Sequence, residues 1–162
     1  MEQYFALLRQ CPLFQGISPQ ELSQMLPCLG TRHMQVKKHQ MIFRAGDPAR
    51  WVGLVLSGAV HVIQEDYYGN RSIVSTFQPP QLFGEAFACA GVASLPVSVE
   101  AAQDSTLLLL DCQRVIRTCS DACAFHQRLL SNLLHVVAAK NLLLTQKLSF
   151  LSKRTTKEKL MA

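Results

Sequence analysis

The chain has 162 residues, 49% hydrophobic and 17% charged, with a formal net charge of +5, a balance ordinary for a soluble globular protein with one core and an appendage. The opening run MEQYFALLRQ has an acid at position 2 and no long apolar stretch, and Leu107–Leu110 is far too short to span a bilayer. No signal peptide, targeting helix or membrane span is therefore expected, and the expected location is cytoplasmic.

Two short helices open the chain. Glu2–Gln10 is amphipathic through Tyr4, Phe5 and Leu8. Ser18-Pro19-Gln20-Glu21 has Ser at the N-cap, Pro at the first helical position and Glu at the third, a strong start for a helix running through Leu22, Met25 and Leu26 to Leu29-Gly30. After Thr31 the texture changes to short β-forming runs. Strands are predicted at Arg32–Val36, Met41–Arg44, Trp51–Ser57, Ala59–Glu65, Arg71–Phe77, Leu82–Phe83, Val97–Ala101 and Ser105–Asp111. Turn residues separate them, with Gly46 and Gly58 where a positive φ is needed. Short strands at this spacing, with helices only at the ends, predict a mainly β fold, a double-stranded β-helix (jelly roll) or small barrel.

A long helix is expected from about Ala122 to Ser152, a stretch free of Pro and Gly. Leu130, Leu134, Val137, Asn141, Leu144, Leu148 and Leu151 alternate spacings of four and three, the seam of a coiled coil. A single Asn at an a position, here Asn141, sets register and a two-stranded state, so a parallel homodimer is expected through this helix. Leu129, Leu133, Val136, Leu143 and Phe150 form a neighbouring stripe better suited to packing on the helix's own domain. The excess charge lies at this end, where Lys140, Lys147, Lys153, Arg154, Lys157 and Lys159 face one acid, Glu158. Such a basic end suits either an approach to nucleic acid or the dipole of a helix C-terminus. Thr155-Thr156-Lys157-Glu158 is a second capping box, which predicts a new helix starting there. The expected organisation is residues 1–121 as the jelly roll with its N-terminal helices, 122–154 as the dimerisation helix, and 155–162 as a hinge entering a further domain.

Cys11, Cys28, Cys89, Cys112, Cys119 and Cys123 form no CxxC pair, and the spacing of Cys112, Cys119 and Cys123 matches no standard zinc site, so reduced cysteines and no metal are expected. His33, His39 and His61 include no HxH pair, and no GxSxG, HExxH, P-loop or GxGxxG occurs. These absences argue against the rival reading, a metal-dependent enzyme of the cupin type.

Three stretches taken together, Ile42-Phe43-Arg44-Ala45-Gly46-Asp47-Pro48-Ala49, Val52-Gly53-Leu54-Val55-Leu56-Ser57-Gly58-Ala59-Val60 and Leu82-Phe83-Gly84-Glu85-Ala86, resemble the cyclic-nucleotide-binding jelly roll of the Crp/Fnr transcription regulators. The resemblance covers nearly the whole chain. It implies a bacterial homodimer whose barrel senses a small effector, whose long helix pairs the subunits, and whose winged helix-turn-helix, absent from this chain, binds promoter DNA, with RNA polymerase as a further partner and no membrane.

In the family's cyclic-nucleotide binders a Gly-Glu pair contacts ribose and ring phosphate, and an Arg about ten residues on neutralises the phosphate. Gly84 and Glu85 match the pair, but Leu95 stands where Arg is expected and Pro96 where a hydroxyl would donate, and no Lys or Arg occurs from Phe83 to Ala102. Burying a phosphodiester without a cation costs on the order of several kcal/mol. The expected ligand is therefore an unidentified, more apolar effector than cyclic AMP, with no cofactor assigned. Its expected pocket is built from Phe83, Gly84, Glu85, Ala86, Phe87, Leu95, Pro96 and Val97, closed by Leu144 and Thr145 of the long helix. Two other readings stay open, a cyclic-nucleotide module of another signalling protein, and a redox or haem sensor. Haem would need an axial ligand such as His61, His33 or a cysteine, and a cluster-binding extension is disfavoured because Cys11 alone lies in the first twenty-five residues.

Overall fold

Ser18 caps its helix as its neighbours require: its side chain accepts from the Glu21 N–H while the Glu21 carboxylate accepts from the Ser18 N–H, a complete capping box. The computed structural model describes residues 4–117 and 124–161, with side chains at 4–117 and 126–149. The element order is α1 (Phe5–Gln10), a 3₁₀ turn (Pro12–Phe14), α2 (Pro19–Met25), a second 3₁₀ turn (Leu26–Leu29), β1 (Arg32–Val36), β2 (Met41–Phe43), β3 (Trp51–Ser57), β4 (Val60–Glu65), β5 (Arg71–Phe77), β6 (Leu82–Phe83), α3 (Glu85–Cys89), β7 (Ser98–Ala101), β8 (Ser105–Asp111), α4 (Cys112–Ile116) and α5 (Ala124–Met161). Five of the eight predicted strands match residue for residue, and the others differ by one residue at an end. Glu2, the expected start of the first helix, lies outside the described residues.

The strands form two four-stranded antiparallel sheets, β1-β8-β3-β6 and β2-β7-β4-β5, the jelly roll expected from the turn spacing. Strand β8 explains how the core is divided. All seven of its residues are buried, because it lies inside the first sheet with side chains on both faces covered. Leu108 and Leu110, with Val52, Leu54 and Leu56 of β3, pack against the helices. Leu107 and Leu109, with Val55 of β3, point between the sheets against Val60, Val62, Val97 and Val99. Gly53 is the missing tooth in that alternation: a Cβ there would lie 2.1 Å from the Phe83 ring, so only glycine lets β6 pair closely with β3. Gly46 and Gly58 have φ of 98° and 84°, as their turns demand.

Helix α5 has 38 residues and a length of about 57 Å at 1.5 Å per residue. Its first part is docked. Leu129, Leu133 and Val136 are buried among the N-terminal helices, Asn132 Nδ2 donates to the carbonyls of Leu13 (2.9 Å) and Gln15 (2.8 Å), and Arg128 donates to that of Gly16 (2.6 Å). Beyond Lys140 every described side chain is exposed, Leu143 included, so the internal stripe ends earlier than its sequence suggests. The helix also continues through Thr155 to Met161 as one element, so the second capping box starts no new helix and the expected boundary at 154 is not a break in the backbone. A capping box stops acting as one when the preceding residues are already helical, because its backbone N–H groups then have intrahelical acceptors. The side chains of Phe150 and Leu151 lie outside the described residues.

Candidate functional site

Gly84 is the hinge of the candidate site. Its φ of 77° turns the chain from the end of β6 into α3, a five-residue helix inserted before β7. Facing it are the turn at Pro48–Arg50 and the start of β3. Between them, and between the two sheets, lies a cavity lined by Phe43, Arg50, Trp51, Gly84, Phe87 and Leu95, with Pro48, Ala49, Val62, Val97 and Val99 completing its walls. Its volume is about 20 Å³, room for roughly one water. The protein's own apolar side chains fill the rest: Phe83 is fully buried, with the rings of Phe43 and Phe77 each 6.3 Å from its own.

A sequence profile described as "Cyclic nucleotide-binding domain" matches residues 33–121, more than half of the chain. The chain belongs to this family. Among solved structures it is similar to the catabolite activator protein of Thermus thermophilus, at 26% identity and a TM-score of 0.67, covering 87% of this chain and 63% of that one. It is also similar to the sensor domain of the transcriptional regulator DNR from Pseudomonas aeruginosa, at 21% identity and a TM-score of 0.69, covering 92% and 95%. The N-terminal domain of a transcriptional regulator from Streptomyces coelicolor A3(2) matches at 19% identity and a TM-score of 0.64, covering 83% and 91%. The chain thus spans about two thirds of the catabolite activator protein and nearly all of the DNR sensor domain. No significant match exists among the curated proteins compared by sequence. The neighbours include regulators of the Crp/Fnr type, the catabolite activator protein and DNR, in agreement with the resemblance carried by the β2–β4 and Phe83-Gly84-Glu85 stretches. They also include a regulatory subunit of a cAMP-independent protein kinase A from Trypanosoma brucei, at 19% identity and a TM-score of 0.66, covering 86% and 46%.

Within this cyclic nucleotide-binding domain, the residues expected to build the pocket divide into groups. Gly84, Phe87, Leu95 and Val97 line the cavity. Phe83 is core beneath it, while Ala86 and Pro96 are exposed to solvent. Leu144 and Thr145 do not close it: both are exposed on α5 past the point where the helix leaves the domain, and the Thr145 hydroxyl donates to the Asn141 carbonyl.

Glu85, expected to face a ligand, is instead taken by the long helix. Its carboxylate is 5% exposed and bonded to Lys140 Nζ, which also donates to the Leu82 carbonyl at 2.9 Å and lies 5.1 Å from the centre of the Phe77 ring. Glu85 Oε2 is buried and has no hydrogen-bond partner among the described residues. Lys140 gave no local signal in the sequence, since a lysine between heptad leucines reads as a solvated face.

The pocket's charge bears on the kind of ligand it suits. Among the described residues its one lining cation is Arg50, missed by sequence reasoning because the search ran from Phe83 to Ala102. That guanidinium is committed: it donates twice to Asp111 Oδ2, at 3.1 and 2.9 Å, and it packs with Arg32 on the Trp51 ring. No free cation therefore faces the cavity among the described residues.

The histidines lie elsewhere. His33 is exposed beside Tyr4, and His61 bonds Thr76 at 3.2 Å on the outer face of the second sheet. His61 lines an open groove of about 480 Å³ with Lys38, His39, Arg71 and Glu100. There the Glu100 carboxylate accepts from His39 (2.9 Å) and Arg71 (2.8 Å), contacts that hold it below the usual glutamate range, the His39 hydrogen bond most of all. Among the described residues no cluster of three or more His, Cys, Asp or Glu can hold a metal, and no helix is long and apolar enough to cross a membrane. Cys112 is buried in α4, while Cys119 and Cys123 lie outside the described residues.

Proposed function

We propose that this chain is the effector-sensing and dimerising part of a transcription regulator, in which the state of the inter-sheet pocket is passed to α5 through Glu85 and Lys140, and from α5 to a promoter-binding segment beyond it. The carrying observation is that joint: the residue after Gly84 of the pocket wall is bonded to the helix that leaves the domain. An effector that displaces α3 moves its first residue, Glu85, so it alters the anchorage of α5, and a ligand acts only through such a difference between states. The effector is neutral or weakly anionic and largely apolar, because Arg50 is already neutralised by Asp111 and the remaining walls are mostly hydrocarbon. It enters by pushing side chains apart, since the standing cavity holds only about one water.

The partner of α5 is a second copy of this chain. Leu134, Leu144 and Leu148 are 71%, 59% and 66% exposed along one helical stripe with Asn141, too much aliphatic surface to leave in water and in the heptad register that two parallel helices share. Sedimentation of the wild-type chain and of Glu85→Gln tests both points. The wild type should sediment as a dimer at micromolar concentration, and the variant, altered on α3 and not in the seam itself, should dissociate about fivefold more readily, on the order of 1 kcal/mol. A monomeric wild type removes the dimer, and an unchanged dissociation constant in the variant removes the Glu85–Lys140 route.

A further inference from the structure

We propose that Cys89 and Cys112 are a reversible redox site, a dithiol that a hydroperoxide converts to an intramolecular disulfide. Their sulfurs are 3.8 Å apart, although the residues are far apart in sequence. A disulfide holds its sulfurs at about 2.05 Å, so the gap closes by less than about 2 Å, within reach of a side-chain rotation. Among the described residues, Cys11 and Cys28 form no hydrogen bond with another cysteine.

The two sites are built unequally. Cys112, 1% exposed, opens α4. Its N–H donates to the Arg50 carbonyl at 3.0 Å, and the preceding Asp111 both caps α4 through the Gln113 N–H and accepts from the Arg50 guanidinium. Cys89 is half-exposed and closes α3, the short arm that carries Glu85 and Phe87. A hydrogen bond that either thiol can donate joins the Cys112 and Cys89 sulfurs. That bond lowers the Cys89 pKa although burial and Glu85 oppose it, and the same bond and burial raise that of Cys112. Cys89 is therefore the accessible thiol that becomes thiolate first, and the thiolate is the form that reacts. Cys11, by contrast, is buried, and burial pushes its pKa up to about 11.

The chemistry balances. The Cys89 thiolate attacks one peroxide oxygen, the O–O bond breaks, and the sulfenic acid forms as water or an alcohol leaves. The Cys112 sulfur then attacks the sulfenic sulfur. The S–S bond forms, the S–O bond breaks, and the hydroxyl leaves as water with the Cys112 proton. Two electrons pass from the dithiol to the peroxide, and an external dithiol returns them. The crosslink ties the pocket arm α3 to α4. It does not depend on the effector proposed above.

The test uses the whole chain treated with graded hydrogen peroxide, quenched by an alkylating reagent and mapped without reduction. The expected product is a Cys89 peptide joined to a Cys112 peptide, lighter by two hydrogen atoms and restored by dithiothreitol, formed at doses where Cys28 is still fully alkylated. Cys112→Ser should abolish it and leave a Cys89 sulfenic acid that dimedone traps. Cys89→Ser, at the half-exposed position where folding is least at risk, should leave Cys112 reduced. Recovery of both cysteines as alkylated thiols at doses that oxidise Cys28 overturns the proposal, as does linkage of Cys89 mainly to Cys119, Cys123 or a second chain.

Discussion

Lys140 Nζ is bonded to the Glu85 carboxylate and the Leu82 carbonyl together, so one ammonium joins the long helix to both sides of the Gly84 turn. Removing it leaves a 5% exposed carboxylate without its cation. Loss of one partner of a fully buried pair costs about 3–5 kcal/mol; because the Lys140 side chain is 37% exposed, water recovers part of this, and Lys140→Met should cost about 2 kcal/mol by urea unfolding. The double variant with Glu85→Gln should regain most of that loss. Additive losses would mean that the two residues do not act as a pair.

Cyclic nucleotides should leave the domain's melting temperature unchanged. A ligand at a hundred times its dissociation constant adds about 2.7 kcal/mol, easily read by thermal unfolding. Among the described residues the only lining cation, Arg50, is bound to Asp111, so a cyclic phosphate would meet no free positive charge from them. Phenols and small aromatic acids should raise the melting temperature instead. A clear rise with cyclic AMP or cyclic GMP would mean that Arg50 releases Asp111 for the phosphate.

At Gly53 the prediction is steric. A methyl group there meets the Phe83 ring at 2.1 Å, and overpacking of this kind costs about 1–3 kcal/mol. Gly53→Ala should lower the unfolding free energy measured in urea by that amount, and Phe83→Leu in the same chain should restore part of it by vacating the space. Equal losses from Gly53→Ala with Phe83 or Leu would assign the cost to the backbone.

Glu100 predicts an acid limb. Its pKa in the folded state is lowered, first by the His39 hydrogen bond and then by Arg71, so the stabilisation is complete above the ordinary glutamate pKa of about 4.3 and is lost as pH falls through the lower folded value. Stability measured from about pH 6 to about pH 3 should fall less steeply in Glu100→Gln than in the wild type. Parallel curves would show that other carboxylates control this limb.

On α5, Asn141→Leu should tighten self-association while loosening its register, and Leu134→Asp with Leu148→Asp should give monomers by sedimentation. Unchanged association in all of these would place the interface elsewhere.

Much of the β architecture was legible because its signals are local. Period-two apolar runs and Gly or Pro turns located β1, β3, β5, β6 and β8 to the residue, and Ser18 and Glu21 marked α2 through contacts only three residues apart. The motif around Gly84 was legible for the same reason, and it led to the family. Helix α3 was not: five residues after a left-handed glycine are too few to display a helical period. The expected closure of the pocket by Leu144 and Thr145 did not appear, because a heptad pattern says which face of a helix is apolar but not where that helix parts from its own domain.

The sequence by itself determined the strands, their turns, the jelly-roll class and the two apolar stripes of α5, all consequences of spacing along one chain. Only the tertiary structure decided that Arg50 is neutralised by Asp111 across 61 positions, that Glu85 is held by Lys140 across 55, and that Cys89 meets Cys112 across 23. Those pairings depend on sheet order and on where α5 docks, and side chains so far apart carry no mutual signal until the folded core brings them within bonding distance.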